Sequence, residues 1–578
     1  MNDESKSIWR RPWKGSAKVL GWFGLLAGAV FLTVCCLGLI SARNTPVSEL
    51  VLIALIVSVV GAALGVATVL FVRWLCCWRN FRRFLFGVAC FVTLIALVFF
   101  EENVRGRSAW LKHKQACEAK GEKFLLADLA PRAVPDELNF ALTPVLRPAL
   151  DYGRVDGKVV WRDTNGLARL DNLKADFLPV RDTNNHLRLG SLEKGTFADL
   201  AACREFYRDN TNYPQPAVSG TAAEDILFAL GGFDAAFREL REATVTRPLA
   251  RFPIEYESEP PWGILLPHLA RMKGLTTLTS IRATAELEAN RPTDALADLK
   301  VGFRLSDVIR DEPFLIDHLV RIATLSINLQ TLREGLVRHA WTDAQLVELE
   351  KHLAATDVLA EYRFAMRGER ALSTGGLDFL RRQGFRSDAM MYLDVNGGAA
   401  MESGFNPMPS GWFYQNMLTL SQMHQDYTLA AVDEKSRRVF PEVSDGGARA
   451  VEKMRAGPYT IFAKLLIPAL ERAVRKSARA QFFVDTARVA GALERHQLAS
   501  GALPDTLDAL VPRFLEKIPN DVIDGKPVRY RRNFDGGYIL YSVGWNQTDD
   551  GGEIAWSKGK NPGVDISQGD WVWQMPAR

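Results

Sequence analysis

Three uncharged apolar runs open the chain: Val19 to Ile40 (22 residues), Leu50 to Val72 (23 residues) and Phe84 to Phe100 (17 residues), the last stopped by Glu101 and Glu102. A helix advances about 1.5 Å per residue and the hydrocarbon core of a bilayer is about 30 Å thick, so roughly 20 apolar residues cross it. The pattern predicts a three-span α-helical membrane anchor over residues 1–102, with spans at 19–40, 50–72 and 84–100. The first run is too long for a signal peptide, no small-residue cleavage site follows it, and the second run comes straight after. Arg10, Arg11, Lys14 and Lys18 precede the first run, and Arg73, Arg79, Arg82 and Arg83 separate the second from the third. The first connection carries only Arg43. Basic residues mark the cytoplasmic side. The N-terminus is therefore expected in the cytoplasm, and everything after Phe100 outside it, in the periplasm or beyond. Arg105, Arg107, Lys112 and Lys114 oppose this count, but long domains translocate largely regardless of such charges. No ionisable residue interrupts a run, which argues against an ion channel or a proton-coupled transporter.

Beyond the anchor the apolar period shortens and becomes helical. Residues 103–215 read as a mixed, irregular region: a short helix at Trp110–Lys120, then Pro131, Pro135, Pro144 and Pro148, a strand near Val155–Trp161, and a helix at Thr196–Asp209. Residues 216–456 read as a helical body. Ile226, Leu227, Leu230, Phe233, Phe237 and Leu240 share one face. Longer helices are expected at Ile264–Asn290, from Thr293 (as a cap behind Pro292) to Ile309, and at Phe314–Arg338. Thr342 and Gln345 spell a capping box. Ala283 to Leu305 looks like half a tetratricopeptide hairpin, but nothing recurs at the required period of about 34 residues. The expectation is antiparallel, solenoid-like helical hairpins, interrupted by loops at Gly375-Gly376, Gly397-Gly398 and Asn406–Gly411, with a helix at Trp412–Val432. Residues 457–578 then open with a long charged helix, Thr460–Leu498, with Pro468 near its start.

Composition narrows the chemistry. With 71 basic and 67 acidic residues among 578, the chain shows no electrostatic footprint for nucleic acid. Five of its seven cysteines lie in or beside the apolar runs. The other two, Cys117 and Cys203, are a candidate disulfide if the body sits in an oxidising compartment. The eight histidines are scattered, and no HExxH, Walker loop, dinucleotide fingerprint or nucleophile elbow is present. No catalytic or cofactor-binding residue is nominated. Pairs such as Glu369 with Arg370, or Trp412 with Tyr414, read as helix-surface charges and packing aromatics.

The last hundred residues carry the most specific pattern. Phe482, Val489 and Leu493 stripe a helix ending at Gly501, and LPDTLDALVP (503–512) reads as a short helix capped by Asp505. Val528 and Tyr530 alternate with Arg529 and Arg531 as a strand, Asn533–Gly537 is a hairpin turn, and Tyr538–Val543 is the return strand. The tail adds Asp549-Asp550-Gly551-Gly552, Val564-Asp565-Ile566 and Gly569-Asp570-Trp571. In this order, with IPNDVIDGKPVRY, YILYSVGWNQTDDGG and VDISQGDW, the segment from about 480 to 573 resembles the globular domain of type II secretion major pseudopilins. The chain as a whole looks like bacterial multi-pass membrane proteins that carry such a small α+β domain. The resemblance implies a calcium-binding last loop, and by motif position it nominates Asp549, Asp550 and Asp565, with Asp570 a weaker fourth. It departs from that family in one respect: there the domain directly follows an N-terminal membrane helix, whereas here it lies far from the apolar runs.

Membrane lipid and other envelope proteins are the expected partners. The leading functional expectation is a non-enzymatic envelope scaffold, with linkage to secretion. The alternatives are an extracytoplasmic hydrolase with its site between helices, and a ligand sensor.

Overall fold

The computed structural model describes residues 47–75, 78–155, 158–173, 189–210, 213–384, 408–559 and 563–576. The first apolar run lies outside these residues. The second falls within α1 (Val47–Leu75) and the third within α2 (Trp78–Glu118). Among the described residues one helix, α2, is long and apolar enough to cross a membrane, and none of its apolar window is covered by protein. Phe86, Phe91, Leu97 and Phe100 are all more than half exposed. Phe71 and Phe84 meet edge to face at 5.5 Å where α1 and α2 adjoin. The short helix expected at Trp110–Lys120 is the end of α2 itself.

The chain divides into two compact units, 1–102 and 103–578, the division falling inside α2. The second unit is mostly helical, with small sheets. Its first part holds a hairpin of β1 (Tyr152–Val155) and β2 (Lys158–Trp161), then α3 (Thr164–Asn172), α4 (Leu200–Arg208), α5 (Ala222–Leu230) and α6 (Asp234–Thr246). Asp163 and Asp199 cap α3 and α4 through Gly166 and Ala202 amides, and Thr221 with Glu224 closes a full capping box on α5. A hairpin of α7 (His268–Glu288) and α8 (Pro292–Asp307) follows, then α9 (Leu315–Val337), α10 (Asp343–Ala354) and α11 (Val358–Gln383). The Thr342–Gln345 box on α10 forms with both of its hydrogen bonds. Thr293 is not a cap: Arg291 holds that position and Pro292 starts α8, where a missing N–H costs nothing.

Three further helices complete the body: α12 (Ser410–Met423), α13 (Pro441–Lys453) and α14 (Ile461–Ser500). A two-residue ladder, β3 (Val432–Asp433) with β4 (Arg438–Val439), precedes α13. The helix expected at Trp412–Val432 ends earlier, in a π turn at His424–Leu429. The loop expected at Gly375-Gly376 is the inside of α11. A Cβ on Gly376 would lie 2.7 Å from the Trp262 ring, so these glycines admit the segment Pro261–Gly263 against the helix instead of breaking it. Gly368 does the same more severely: a Cβ there would meet the Pro313 carbonyl oxygen at 1.7 Å.

The C-terminal strands β5 (Arg529–Arg532), β6 (Tyr538–Ser542) and β9 (Trp571–Met575) form an antiparallel sheet in the order β5-β6-β9. A second pair, β7 (Ile554–Trp556) with β8 (Val564–Gly569), lies beside it. The expected hairpin around Asn533–Gly537 is present in register, Arg532 opposite Tyr538. Residues 503–512 depart from expectation. Only Leu507–Leu510 are helical, as a 3₁₀ turn behind Thr506, and Asp505 bonds Arg532 instead of capping.

One continuous apolar core joins Trp110, the faces of α9 to α12, the length of α14, and Trp571, Trp573 and Met575 of the sheet. Helix α14 packs on α9, α10, α11, α12 and α13, so its contacts bridge segments far apart in sequence. That is unlike a solenoid, in which each repeat meets only its neighbours. A second core holds α3 to α8. The two cysteines of the candidate disulfide lie in separate cores, Cys203 in the second and Cys117 in the first, and no disulfide is found among the described residues.

Candidate functional site

The C-terminus of α9 is the starting point. Ala340 N–H bonds the Gly335 carbonyl and His339 N–H bonds that of Leu336, which is the double closure of a Schellman motif. The residue after such a helix end adopts a left-handed conformation and is usually glycine. Here it is His339, at φ +48°. A side chain there costs about 1 kcal/mol, and non-glycine residues held this way cluster at functional sites. Trp341 locks the geometry. It is buried, its indole N–H reaches the Leu332 carbonyl, and a Cβ on Gly335 would collide with its ring at 2.2 Å.

This turn points the imidazole at α14. Nδ1 of His339 lies 2.8 and 3.0 Å from the two oxygens of the buried Glu494 carboxylate. A carboxylate only accepts, so Nδ1 carries a proton and donates it to Glu494. Nε2 has no hydrogen-bond partner among the described residues, and the ring is about a quarter exposed (27%).

The pair faces a groove of about 310 Å³ lined by Leu336, Val337, Gln497, Leu503, Tyr538, Met575, Pro576 and the turn Asp535-Gly536-Gly537. The turn is tight: Asn533 N–H bonds the Gly537 carbonyl, Gly536 sits at φ +93°, and Asp535 Oδ1 accepts from Gly537 N–H at 2.9 Å. Phe534, on the same turn, is fully exposed. Burial, then the charge of Glu494, pushes the Tyr538 hydroxyl well above its usual range, so it stays a neutral phenol in the groove wall.

Other pairings of chemical interest are sealed. His318 Nε2 lies 2.8 Å from Ser477 Oγ with both residues buried, but the Ser477 hydroxyl proton already goes to the Ala473 carbonyl. The imidazole must therefore donate, the reverse of what activates a serine nucleophile. His113 Nε2 contacts Ser421 Oγ at 2.8 Å, and Ser421 is also buried. Arg370, expected at a helix surface, is fully buried, its guanidinium bonded to Glu122 at 2.6 Å and lying over the Phe124 ring. Glu369 beside it is half-buried, and desolvation pushes its carboxyl up to about 7. Near the start of α9, Asp317 and His268 face each other at 3.4 Å, and Tyr256 hydrogen-bonds Glu312. Among the described residues, neither oxygen of Asp317 and neither ring nitrogen of His268 has a hydrogen-bond partner.

The acidic C-terminal loop places its nominated residues as follows. Asp549 Oδ2 accepts from Arg529 Nε at 2.9 Å, and Asp550 Oδ2 from Asn546 at 3.1 Å. Asp565 Oδ1 accepts from the Ser567 amide and hydroxyl, and those bonds hold its carboxyl below the usual range. Asp570 is buried and caps the amides of Asp550 and Gly552. Arg529 also pairs with Asp521 and Asp524, so the guanidinium at Asp549 is shared among three carboxylates. Among the described residues no three His, Cys, Asp or Glu side chains are placed to hold a metal. Calcium takes six to eight oxygens, and Asp549, Asp550, Asp565 and Asp570 each accept from donors of the protein itself.

No family model matches the chain, and neither does any curated protein or solved structure. The groove therefore rests on its own geometry. The sequence pointed to none of its polar residues, because His339 and Glu494 are 155 positions apart. The one available signal was a histidine where the end of α9 calls for glycine.

Proposed function

We propose that this chain is a membrane-anchored envelope protein whose body, residues 103–578, binds another protein at the groove between α9, α14 and the C-terminal sheet. The observation that carries this reading is the accessible groove with a fully exposed phenylalanine on its rim. Aromatic side chains, phenylalanine among them, are enriched at protein–protein interfaces. The three-span anchor with a cytoplasmic N-terminus belongs to the same proposal, supported by the apolar runs and the placement of basic residues. The sequence of a long helix, a short helical turn and a three-stranded sheet supports the pseudopilin-like reading of the last hundred residues and, with it, a link to secretion.

The test is affinity capture of the full-length protein from solubilised membranes, alongside Phe534→Asp. The expected result is a discrete envelope protein retained by the wild type and lost with the variant. The same proteins recovered with both, or none with either, would overturn the reading.

The His339–Glu494 pair favours a second reading, a hydrolase. Nε2 of His339 would take a proton from water while Glu494 stabilises the imidazolium, the arrangement of a general base and its orienting carboxylate. In that case His339→Asn removes turnover and leaves the captured partner unchanged.

A further inference from the structure

The groove between α9, α14 and the C-terminal sheet has walls that accept hydrogen bonds and hardly donate them. On the turn that lines it, Gly536 N–H goes to the Asn533 carbonyl and Gly537 N–H to Asp535 Oδ1. Pro576, also in the wall, has no N–H to offer. His339 gives its Nδ1 proton to Glu494, so that pair is satisfied within itself. Neither a lysine nor an arginine occurs among the described residues that line the groove.

Asp535 is the group left over. It is exposed, one of its oxygens is engaged by Gly537 N–H, and Oδ2 has no partner among the described residues. The arginines at the end of β5 are committed elsewhere: Arg531 bonds the Gly551 carbonyl at 2.7 Å, and Arg532 pairs with Asp505 at 2.8 Å. An uncompensated negative charge therefore stands in a groove also lined by the apolar side chains of Leu336, Leu503 and Met575. Its complement is a positive charge carried on a flexible aliphatic stem. Lysine has that form, because its methylene stem lies along apolar surface while its ammonium stays at the polar end. Arginine suits the site less well: its planar fork matches two carboxylate oxygens, and Asp535 has one to give. The exposed Phe534 ring beside Asp535 adds a face on which an ammonium is also stabilised.

We propose that the groove takes a lysine side chain of the partner protein, with the ammonium on Asp535 Oδ2 and the stem over Leu503 and Met575. This rests on the protein-binding reading above and deepens it, because it names the chemistry the partner must present.

The probe is the pentapeptide GGKGG, acetylated and amidated so that the lysine amine is its only amine, added with a water-soluble carbodiimide to the full-length protein in detergent. The carbodiimide activates a carboxylate, the amine displaces it as the urea, and an amide bond marks where the ammonium sat. Glycine ethyl ester, an amine without the aliphatic stem, is the comparison, and Asp505, with a side chain 93% exposed, is the reference position. Mass spectrometry gives the labelling of Asp535 relative to Asp505. The expected ratio with the peptide is at least about threefold that with glycine ethyl ester, the scale of one ion pair. Asp535→Asn keeps an oxygen for Gly537 N–H and removes the charge, so the partner captured by the full-length protein should fall about threefold as well. An equal ratio with the two amines overturns the lysine assignment, and the groove remains the docking site if Phe534→Asp still loses the partner. An equal ratio with a partner that Phe534→Asp retains overturns the groove reading and this inference together.

Discussion

Ending the chain after Gly501 is expected to prevent the helical body from folding, not merely to remove an appended domain. Leu540, Trp571, Trp573 and Met575 of the sheet are buried in the same core as Leu336, Trp341 and Phe482 of the body. Deleting one large core side chain costs about 2–5 kcal/mol. Losing all four removes about 8–20 kcal/mol, comparable to the whole of the roughly 5–15 kcal/mol of net stability that folded domains possess. Polar contacts point the same way. The fully buried Arg333 donates from Nε to the Gln574 carbonyl at 2.9 Å and from its other nitrogens to the carbonyls of Gly195 and Thr196. Without residue 574 a buried donor is left unpaired, a further penalty of about 1–3 kcal/mol. In full-length protein, calorimetry of the body should show one cooperative transition, and limited proteolysis should not release a stable fragment beginning near residue 503. A truncated chain that melts at the full-length temperature would refute the shared core.

The second large effect is one of pH. Burial pushes Asp317 up to about 8 and Glu312 to about 8, the latter also raised by Asp317 and Asp311 and eased by Tyr256 and Arg251. Unfolded, both ionise near pH 4. Between pH 4 and 8 the folded state therefore holds protons that the unfolded chain has lost, and stability falls as pH rises. The buried His268, His318 and His424 are pushed down to about 3. Unfolded they bind protons below about pH 6.5, so their contribution rises with pH between 3 and 6.5. The two trends oppose each other below pH 6.5, and above it the acids act alone. Each pKa unit corresponds to about 1.4 kcal/mol, so going from pH 6.5 to 8.5 should cost on the order of 2 kcal/mol for each of Asp317 and Glu312. The double variant Asp317→Asn with Glu312→Gln replaces neutral acids by neutral amides. It should melt close to wild type at pH 6.5 and lose much less on going to pH 8.5. An equal pH dependence in wild type and variant would contradict this assignment.

What the sequence made legible was local. The capping box at Thr342, the β5–β6 hairpin around Asn533–Gly537 and the existence of the main helices all follow from residues a few positions apart, and they stand where expected. The misses are cases where a distant partner decides. Gly375-Gly376 reads as a break until Trp262 is seen packing on it. Arg370 reads as a surface charge until Glu122 and Phe124 enclose it. Cys117 and Cys203 looked like a pair because they were the two left over, yet they sit in separate cores. The groove is the extreme instance, since its two central side chains come from α9 and α14 and meet only in the folded chain.

The proposed topology puts residues 103–578 on the far side of a membrane held by the N-terminal runs. Fusing alkaline phosphatase after Arg578 of the full-length chain, in parallel with green fluorescent protein at the same point, tests it most directly. Phosphatase needs an oxidising compartment for its disulfides, so the account predicts an active phosphatase fusion and a dark fluorescent one. A bright fluorescent fusion with inactive phosphatase would place the body in the cytoplasm and contradict it.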